Sequence, residues 1–205
     1  LRPPPRIKIC GITRVEDAER AVALGVEALG FNLWPGSSRF VDLERAKALV
    51  DVVAGRARTV GVFVDASLEA LVRARERTGL EVLQLHGNEP DAVLSAFLPH
   101  AYRAVRLKSE EDVERARAAL GEEVLVDAFV PQVPGGTGLL VDLALARRVT
   151  EVRSAWLAGG LTPENVGAAI EATLPFGVDV ASGVESAPGI KDPRRMEAFV
   201  RAVRD

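Results

Sequence analysis

Short runs of aliphatic residues alternate along this chain with longer stretches whose apolar positions recur every three to four residues. The short runs read as strands at 6–10, 28–32, 59–64, 82–86, 101–106, 124–127, 155–159 and 177–181. They begin roughly 20–30 residues apart, which leaves room for a helix and a return after each strand. Side chains alternate between faces along a strand. Ile7 and Ile9 therefore share one face of the first run, and Lys8 and Cys10 share the other.

The intervening stretches carry helix start and stop signals. Thr13 followed by Glu16 predicts a capping box, with Gly25 closing that helix. Asp42 precedes Leu43, Ala46, Leu49 and Val53, an apolar stripe at helical spacing. Ser67 or Asp65 is expected to cap the third helix, Asn88 with Pro90 to open the fourth, and Ser109 the fifth. The sixth is expected around 140–149. Thr162-Pro163 and Asp192-Pro193 are cap-then-proline pairs opening the last two.

Eight strand-helix units with no linker, low-complexity segment or shift in composition predict one α/β domain over residues 1–205, a closed (βα)8 barrel of parallel strands. An open doubly wound sheet is the rival. It seldom needs eight evenly spaced strands, and its usual GxGxxG turn is absent after the first one.

Composition narrows the partners. A net charge of −3 lacks the basic field expected of a nucleic-acid or anionic-membrane binder. No apolar run approaches the ~18 residues of a membrane span, and the opening Leu1-Arg2-Pro3-Pro4-Pro5 has no signal-peptide core. One cysteine excludes an internal disulfide and suits a cytoplasmic setting. Arginine greatly outnumbers lysine, which occurs only at 8, 47, 108 and 191. Either a GC-rich genome or heat adaptation gives that bias.

In (βα)8 barrels chemistry is placed where strands end and the following loops begin. Face parity points Lys8 and Cys10, Gln84 and His86, Asp127 and Asp179 inward, and their apolar neighbours toward the helices. Polar groups inside a barrel need partners, so this cluster suggests a site. Lys8 with Asp179 reads as a buried structural pair. Cys10 is either a small buried hydrophobe or a reactive thiol favoured by the following helix N-terminus. Asp127 is either a loop aspartate or a general acid raised by burial.

The glycine-rich 131–138 segment that follows Asp127, with Gly136 in it, reads as a turn or a lid. Gly159-Gly160 after the seventh strand and Ser182-Gly183 after the eighth stand where barrels commonly bind phosphate through backbone N–H groups. Arg39, in the loop after the second strand, is either solvated or a two-pronged clamp for a carboxylate. His86 is either a hydrogen-bonded core residue or an acid-base group. With only His86 and His100 in the chain, no histidine-rich metal site is expected.

Several stretches together resemble the phosphoribosylanthranilate isomerase family of tryptophan biosynthesis. They are Lys-Ile-Cys-Gly-Ile-Thr at 8–13, Gly-Phe-Asn-Leu-Trp-Pro-Gly-Ser-Ser-Arg at 30–39, Val-Gly-Val-Phe-Val-Asp at 60–65, Leu-Gln-Leu-His-Gly at 83–87, Gly-Gly-Thr-Gly at 135–138, Leu-Ala-Gly-Gly-Leu-Thr-Pro-Glu-Asn-Val at 157–166 and Val-Asp-Val-Ala-Ser-Gly-Val-Glu at 178–185. The resemblance implies a (βα)8 barrel and an Amadori rearrangement of N-(5-phosphoribosyl)anthranilate, with no metal and no organic cofactor. It implies Cys10 as catalytic base, Asp127 as general acid and Arg39 as holder of the anthranilate carboxylate. Gly159, Gly160, Ser182 and Gly183 would hold the phosphate, with Lys8, His86, Asp179 and Gly136 supporting the site.

One departure is visible: Leu139-Leu140-Val141-Asp142 stands where the family often has lysine or an aromatic-aspartate stretch. A homodimer is compatible with the resemblance. The alternatives are another sugar-phosphate barrel enzyme, an epimerase or aldolase, and a phosphate-binding barrel without catalysis. The epimerase would want metal-binding residues at several strand ends, and the aldolase a Schiff-base lysine, for which Lys8 or Lys108 is the candidate.

Overall fold

A computed structural model describes residues 3–127 and 138–205, with side chains from 143 onward in the second segment. Eight strands close in sequence order into a parallel barrel. They are β1 (Arg6–Cys10), β2 (Ala28–Asn32), β3 (Arg58–Phe63), β4 (Val82–Leu85), β5 (Ala101–Arg106), β6 (Glu123–Asp127), β7 (Ser154–Ala158) and β8 (Gly177–Val180). β8 returns to β1 with Lys8 opposite Asp179, which closes the ring. The helices are α1 (Val15–Ala23), α2 (Leu43–Val53), α3 (Leu68–Thr78), α4 (Asp91–Ser95), α5 (Glu110–Ala118), α6 (Gly138–Thr150), α7 (Val166–Thr173) and α8 (Pro193–Arg204). Beyond β8 a short 3-10 turn (Ser182–Val184) leads into a hairpin, β9 (Glu185–Ala187) and β10 (Ile190–Lys191).

Parity does what the pattern predicts. Ile7, Ile9, Leu83, Leu85, Val124, Val126, Val178 and Val180 pack outward in one core with the helix faces. Ala28, Val60, Val82, Tyr102, Ala104, Leu125, Trp156 and Ala158 fill the barrel interior. Parallel strands buried on both faces read as continuous apolar runs for this reason.

The interior has two ends. At the strand N-termini Trp156 fills the floor: its Nε1 donates to Glu123 at 2.7 Å, Glu123 pairs with Arg58, and Phe176 meets the indole edge-on at 5.5 Å. A Cβ on Gly177 would stand 2.5 Å from that indole, so the ring needs a glycine there. Polar chemistry is displaced to the other end.

Most caps fall where expected. Asp42, Ser67 and Asp192 accept N–H bonds at the starts of α2, α3 and α8, and Ser109 with Asp112 forms a full capping box on α5. Three starts differ. Thr13 does not cap α1, which begins after Arg14 with no side-chain cap; its hydroxyl donates to the Gly189 carbonyl at 2.5 Å. Asn88 does not open α4, which starts after Pro90; its N–H donates to the Asp65 carboxylate. Thr162 precedes a turn in which Asn165 Oδ1 accepts its N–H, and α7 starts one residue beyond Asn165.

Candidate active site

The site is assembled from strand ends around the open mouth. Lys8, fully buried in β1, donates from Nζ to Gln84 Oε1 at 2.6 Å and to Asp179 Oδ2 at 3.0 Å. Burial alone would lower its pKa. The Asp179 carboxylate, with Cys10 and Tyr102 nearby, outweighs that and holds the ammonium charged far above the ordinary lysine range. A Schiff-base lysine must be deprotonated to attack, so Lys8 is unsuited to aldolase chemistry. Asp179 Oδ1 is buried without a hydrogen-bond partner among the described residues.

Gln84 is the hub of this floor. Its Oε1 also accepts from Tyr102 Oη at 3.1 Å, and its Nε2 lies 3.0 Å from His86 Nδ1. His86 Nε2 in turn stands 3.9 Å from Asp127 Oδ2, and Arg106 Nε approaches the same oxygen at 3.9 Å. Burial pushes the His86 pKa down, Asp127 only partly opposing it, so the imidazole is neutral.

Cys10 ends β1 half-buried, with the Gly30 backbone against it: a Cβ on Gly30 would lie 2.6 Å from Sγ. One of the two sequence readings of Cys10 has a thiolate favoured by the helix that follows. Instead burial pushes the thiol pKa up, and Lys8 and Lys191 offset it only in part. α1 starts five residues on, and a helix dipole fades within its first turn.

Arg39 packs its stem over Gly11, whose φ of +74° and missing Cβ leave the space; a Cβ there would stand 2.4 Å from Arg39 Cδ. Its two-pronged face is already engaged. Nε and Nη2 donate to the two Glu185 oxygens at 2.7 and 2.6 Å, which leaves Nη1 free among the described residues. Glu185 also accepts from Lys191 Nζ at 2.9 Å, and that ammonium donates to the Cys10 carbonyl at 2.6 Å and the Ala181 carbonyl at 3.1 Å. The hairpin thus ties the end of β1 to the loop that carries Arg39.

The two glycine turns lie against each other. Gly159 and Gly160 both take positive φ. Gly183 lies so close to the Leu161 carbonyl that a Cβ would come within 1.8 Å of it. No backbone carbonyl accepts from the N–H groups of Gly160, Ser182 or Gly183 among the described residues. A cleft of about 740 Å³ opens from His86 and Arg106 outward past Arg103 and Lys108. Among the described residues, no three His, Cys, Asp or Glu side chains converge as metal ligands. The 131–137 part of the glycine segment, with Gly136, lies outside the described residues.

With this arrangement in view, the family assignment is direct. The sequence model of the N-(5'phosphoribosyl)anthranilate (PRA) isomerase family matches residues 7–202. The chain belongs to that family. An N-(5'-phosphoribosyl)anthranilate isomerase of Pseudomonas aeruginosa is 44% identical over 205 residues, covering 98% of this chain and 96% of the relative. The solved phosphoribosyl anthranilate isomerase of Thermotoga maritima superposes with a TM-score of 0.86 at 36% identity, covering 97% of this chain and 98% of that one. The isomerase of that organism is also described as dimeric. A phosphoribosyl anthranilate isomerase solved with reduced 1-(o-carboxyphenylamino)-1-deoxyribulose 5-phosphate matches with a TM-score of 0.84 at 35% identity, covering 97% and 98%.

Three residues that the structure joins to this candidate site escape sequence reasoning: Tyr102, Glu185 and Lys191. A signal existed for one of them. In a chain that prefers arginine, four lysines survive, and Lys8 and Lys191 are the two that are buried.

Proposed function

We propose that this isomerase converts N-(5'-phosphoribosyl)anthranilate to 1-(2-carboxyphenylamino)-1-deoxyribulose 5-phosphate, with Cys10 as general base and Asp127 as general acid. What supports the assignment is one feature of the barrel. Both groups end strands on inward-facing positions of the same mouth, half-buried, with His86, the residue after β4, beside the carboxyl.

The chemistry balances within one molecule. Asp127 protonates the ribose ring oxygen, and the bond from that oxygen to the anomeric carbon breaks as the aniline nitrogen lone pair forms an iminium. The iminium acidifies the neighbouring C–H, and the Cys10 thiolate removes that proton to give an enolamine. Tautomerisation, with a proton returned to the former anomeric carbon, yields the ketone. A thiol whose pKa is raised is scarce as thiolate at neutral pH but is a stronger base when formed.

Arg39 is assigned to the anthranilate carboxylate. The contact falls to Nη1, because the other edge holds Glu185. The N–H groups of Gly160, Ser182 and Gly183 are assigned to the phosphate. Anchoring both ends orients the sugar between acid and base. The reading includes a homodimer working in the cytoplasm, to be checked by sedimentation and cell fractionation. Among the described residues no helix is long and apolar enough to cross a membrane.

The deciding experiment measures turnover of the phosphoribosylated anthranilate. Cys10→Ala and Asp127→Asn are each expected to lower kcat by about 10²–10⁴-fold with the fold intact by circular dichroism. A Cys10→Ala protein turning over at the wild-type rate rejects the base. Failure of the wild-type gene to restore growth of a tryptophan-requiring strain lacking this step rejects the activity.

A further inference from the structure

The floor of the site contains a chain of hydrogen bonds whose donors and acceptors can be assigned from one fixed end. A lysine ammonium has three donors and no acceptor. The Gln84 atom facing Lys8 at 2.6 Å must therefore be the amide oxygen. With the oxygen placed there by Lys8, Tyr102 Oη donates to it at 3.1 Å. The other end of the amide, Nε2, can only donate. It lies 3.0 Å from His86 Nδ1, so that nitrogen must be the acceptor and carry no proton. A neutral imidazole has one N–H, which is then on Nε2, the nitrogen facing Asp127 at 3.9 Å.

We propose that Gln84 is a positioning residue for the reaction: anchored by Lys8 and Tyr102, it fixes His86 as the Nε2–H tautomer, so that the imidazole presents a donor to Asp127. The proposal rests on the assignment of Asp127 as general acid. When Asp127 gives its proton to the sugar it becomes a carboxylate, and a donor already aimed at it stabilises that product. The opposite tautomer would aim a lone pair at the new charge. The 3.9 Å gap is longer than a hydrogen bond, and catalytic bonds often tighten only when substrate is bound. Arg106, the charged neighbour of that carboxyl among the described residues, is 63% exposed and holds its charge in water, where its pull is screened.

The tautomer is read directly by nitrogen NMR on the full-length ¹⁵N-labelled protein. His86 and His100 are the only imidazoles, and a His100→Gln variant assigns the signals. Wild type is expected to show His86 protonated at Nε2; protonation at Nδ1 overturns the proposal. In Gln84→Glu the carboxylate can only accept, so Nδ1 must take a proton. The NMR pattern is expected to move accordingly, with kcat falling about tenfold and KM staying within about twofold. An unchanged Nε2–H pattern in that variant overturns the proposal, and so does a moved pattern with wild-type kcat.

If Gln84→Glu fails to fold, Gln84→Leu, which neither donates nor accepts at that position, is expected to leave His86 divided between tautomers. A pure Nε2–H signal there overturns the proposal as well. Full turnover by Asp127→Asn would instead remove the acid assignment, because the NMR reads His86 without reference to turnover.

Discussion

Replacing Glu185 with alanine removes a carboxylate held between two cations. Its side chain is 5% exposed, that of Lys191 is fully buried and that of Arg39 is 24% exposed. Breaking a buried ion pair by deleting one partner costs about 3–5 kcal/mol. Here the lower end applies, because Lys191 keeps the Cys10 and Ala181 carbonyls and Arg39 reaches water. At about 3 kcal/mol, a chain of this length should melt roughly 6–12 °C lower. Glu185→Gln keeps an acceptor and should lose less. Burial alone would raise the Glu185 pKa, but Arg39 and Lys191 outweigh it and hold the carboxyl below its ordinary range. Its contribution is then complete above the unfolded value of about 4.3 and fades as pH falls through the lower folded value. The melting gap between wild type and Glu185→Gln should therefore close in strong acid. The assay is calorimetry from neutral pH downward, with KM measured alongside, since Arg39 loses its brace. A Glu185→Ala protein melting within about 2 °C of wild type at neutral pH would refute the argument.

Other outcomes follow from the same geometry. The raised Cys10 pKa places the rising limb of kcat/KM above the ordinary thiol value of about 8.5, and alkylation of this sole cysteine by iodoacetamide should follow the same limb; a limb below that value contradicts the burial argument. Gly30→Ala drives a methyl to 2.6 Å from Sγ and 3.1 Å from Lys8 Cε, so it should lower kcat and destabilise by about 1–3 kcal/mol, as urea titration would show. In Gly183→Ala the added carbon meets the Leu161 carbonyl at 1.8 Å, which forces the two glycine turns apart. Stabilisation of the melting transition by inorganic phosphate should then be lost, and its retention would take the anion away from these turns.

The barrel was legible because its strands are buried on both faces, so each is a continuous apolar run whose exceptions mark the interior. Lys8, Gln84 and Asp179 stood out as polar residues at inward positions of such runs, and the structure joins them through hydrogen bonds. Local signals held where the side chain had only local work, as at Asp42, Ser67 and Ser109. They failed at Thr13, whose hydroxyl is taken by a carbonyl 176 residues away. The same long reach hid Glu185, whose partner Arg39 lies 146 residues earlier in the chain, so no spacing rule connects them. Lys191 was legible only against the background of arginine. Its ammonium meets the Cys10 and Ala181 carbonyls and the Glu185 carboxylate, three acceptors converging on one nitrogen from different elements. Three tetrahedral N–H bonds on a single atom can satisfy that convergence, whereas a planar guanidinium spreads its donors over a rigid fork. Lys8 answers a similar demand from Gln84 and Asp179. A chain biased toward arginine retains lysine where the acceptors require a point donor, and here both such positions anchor the end of the strand that carries Cys10.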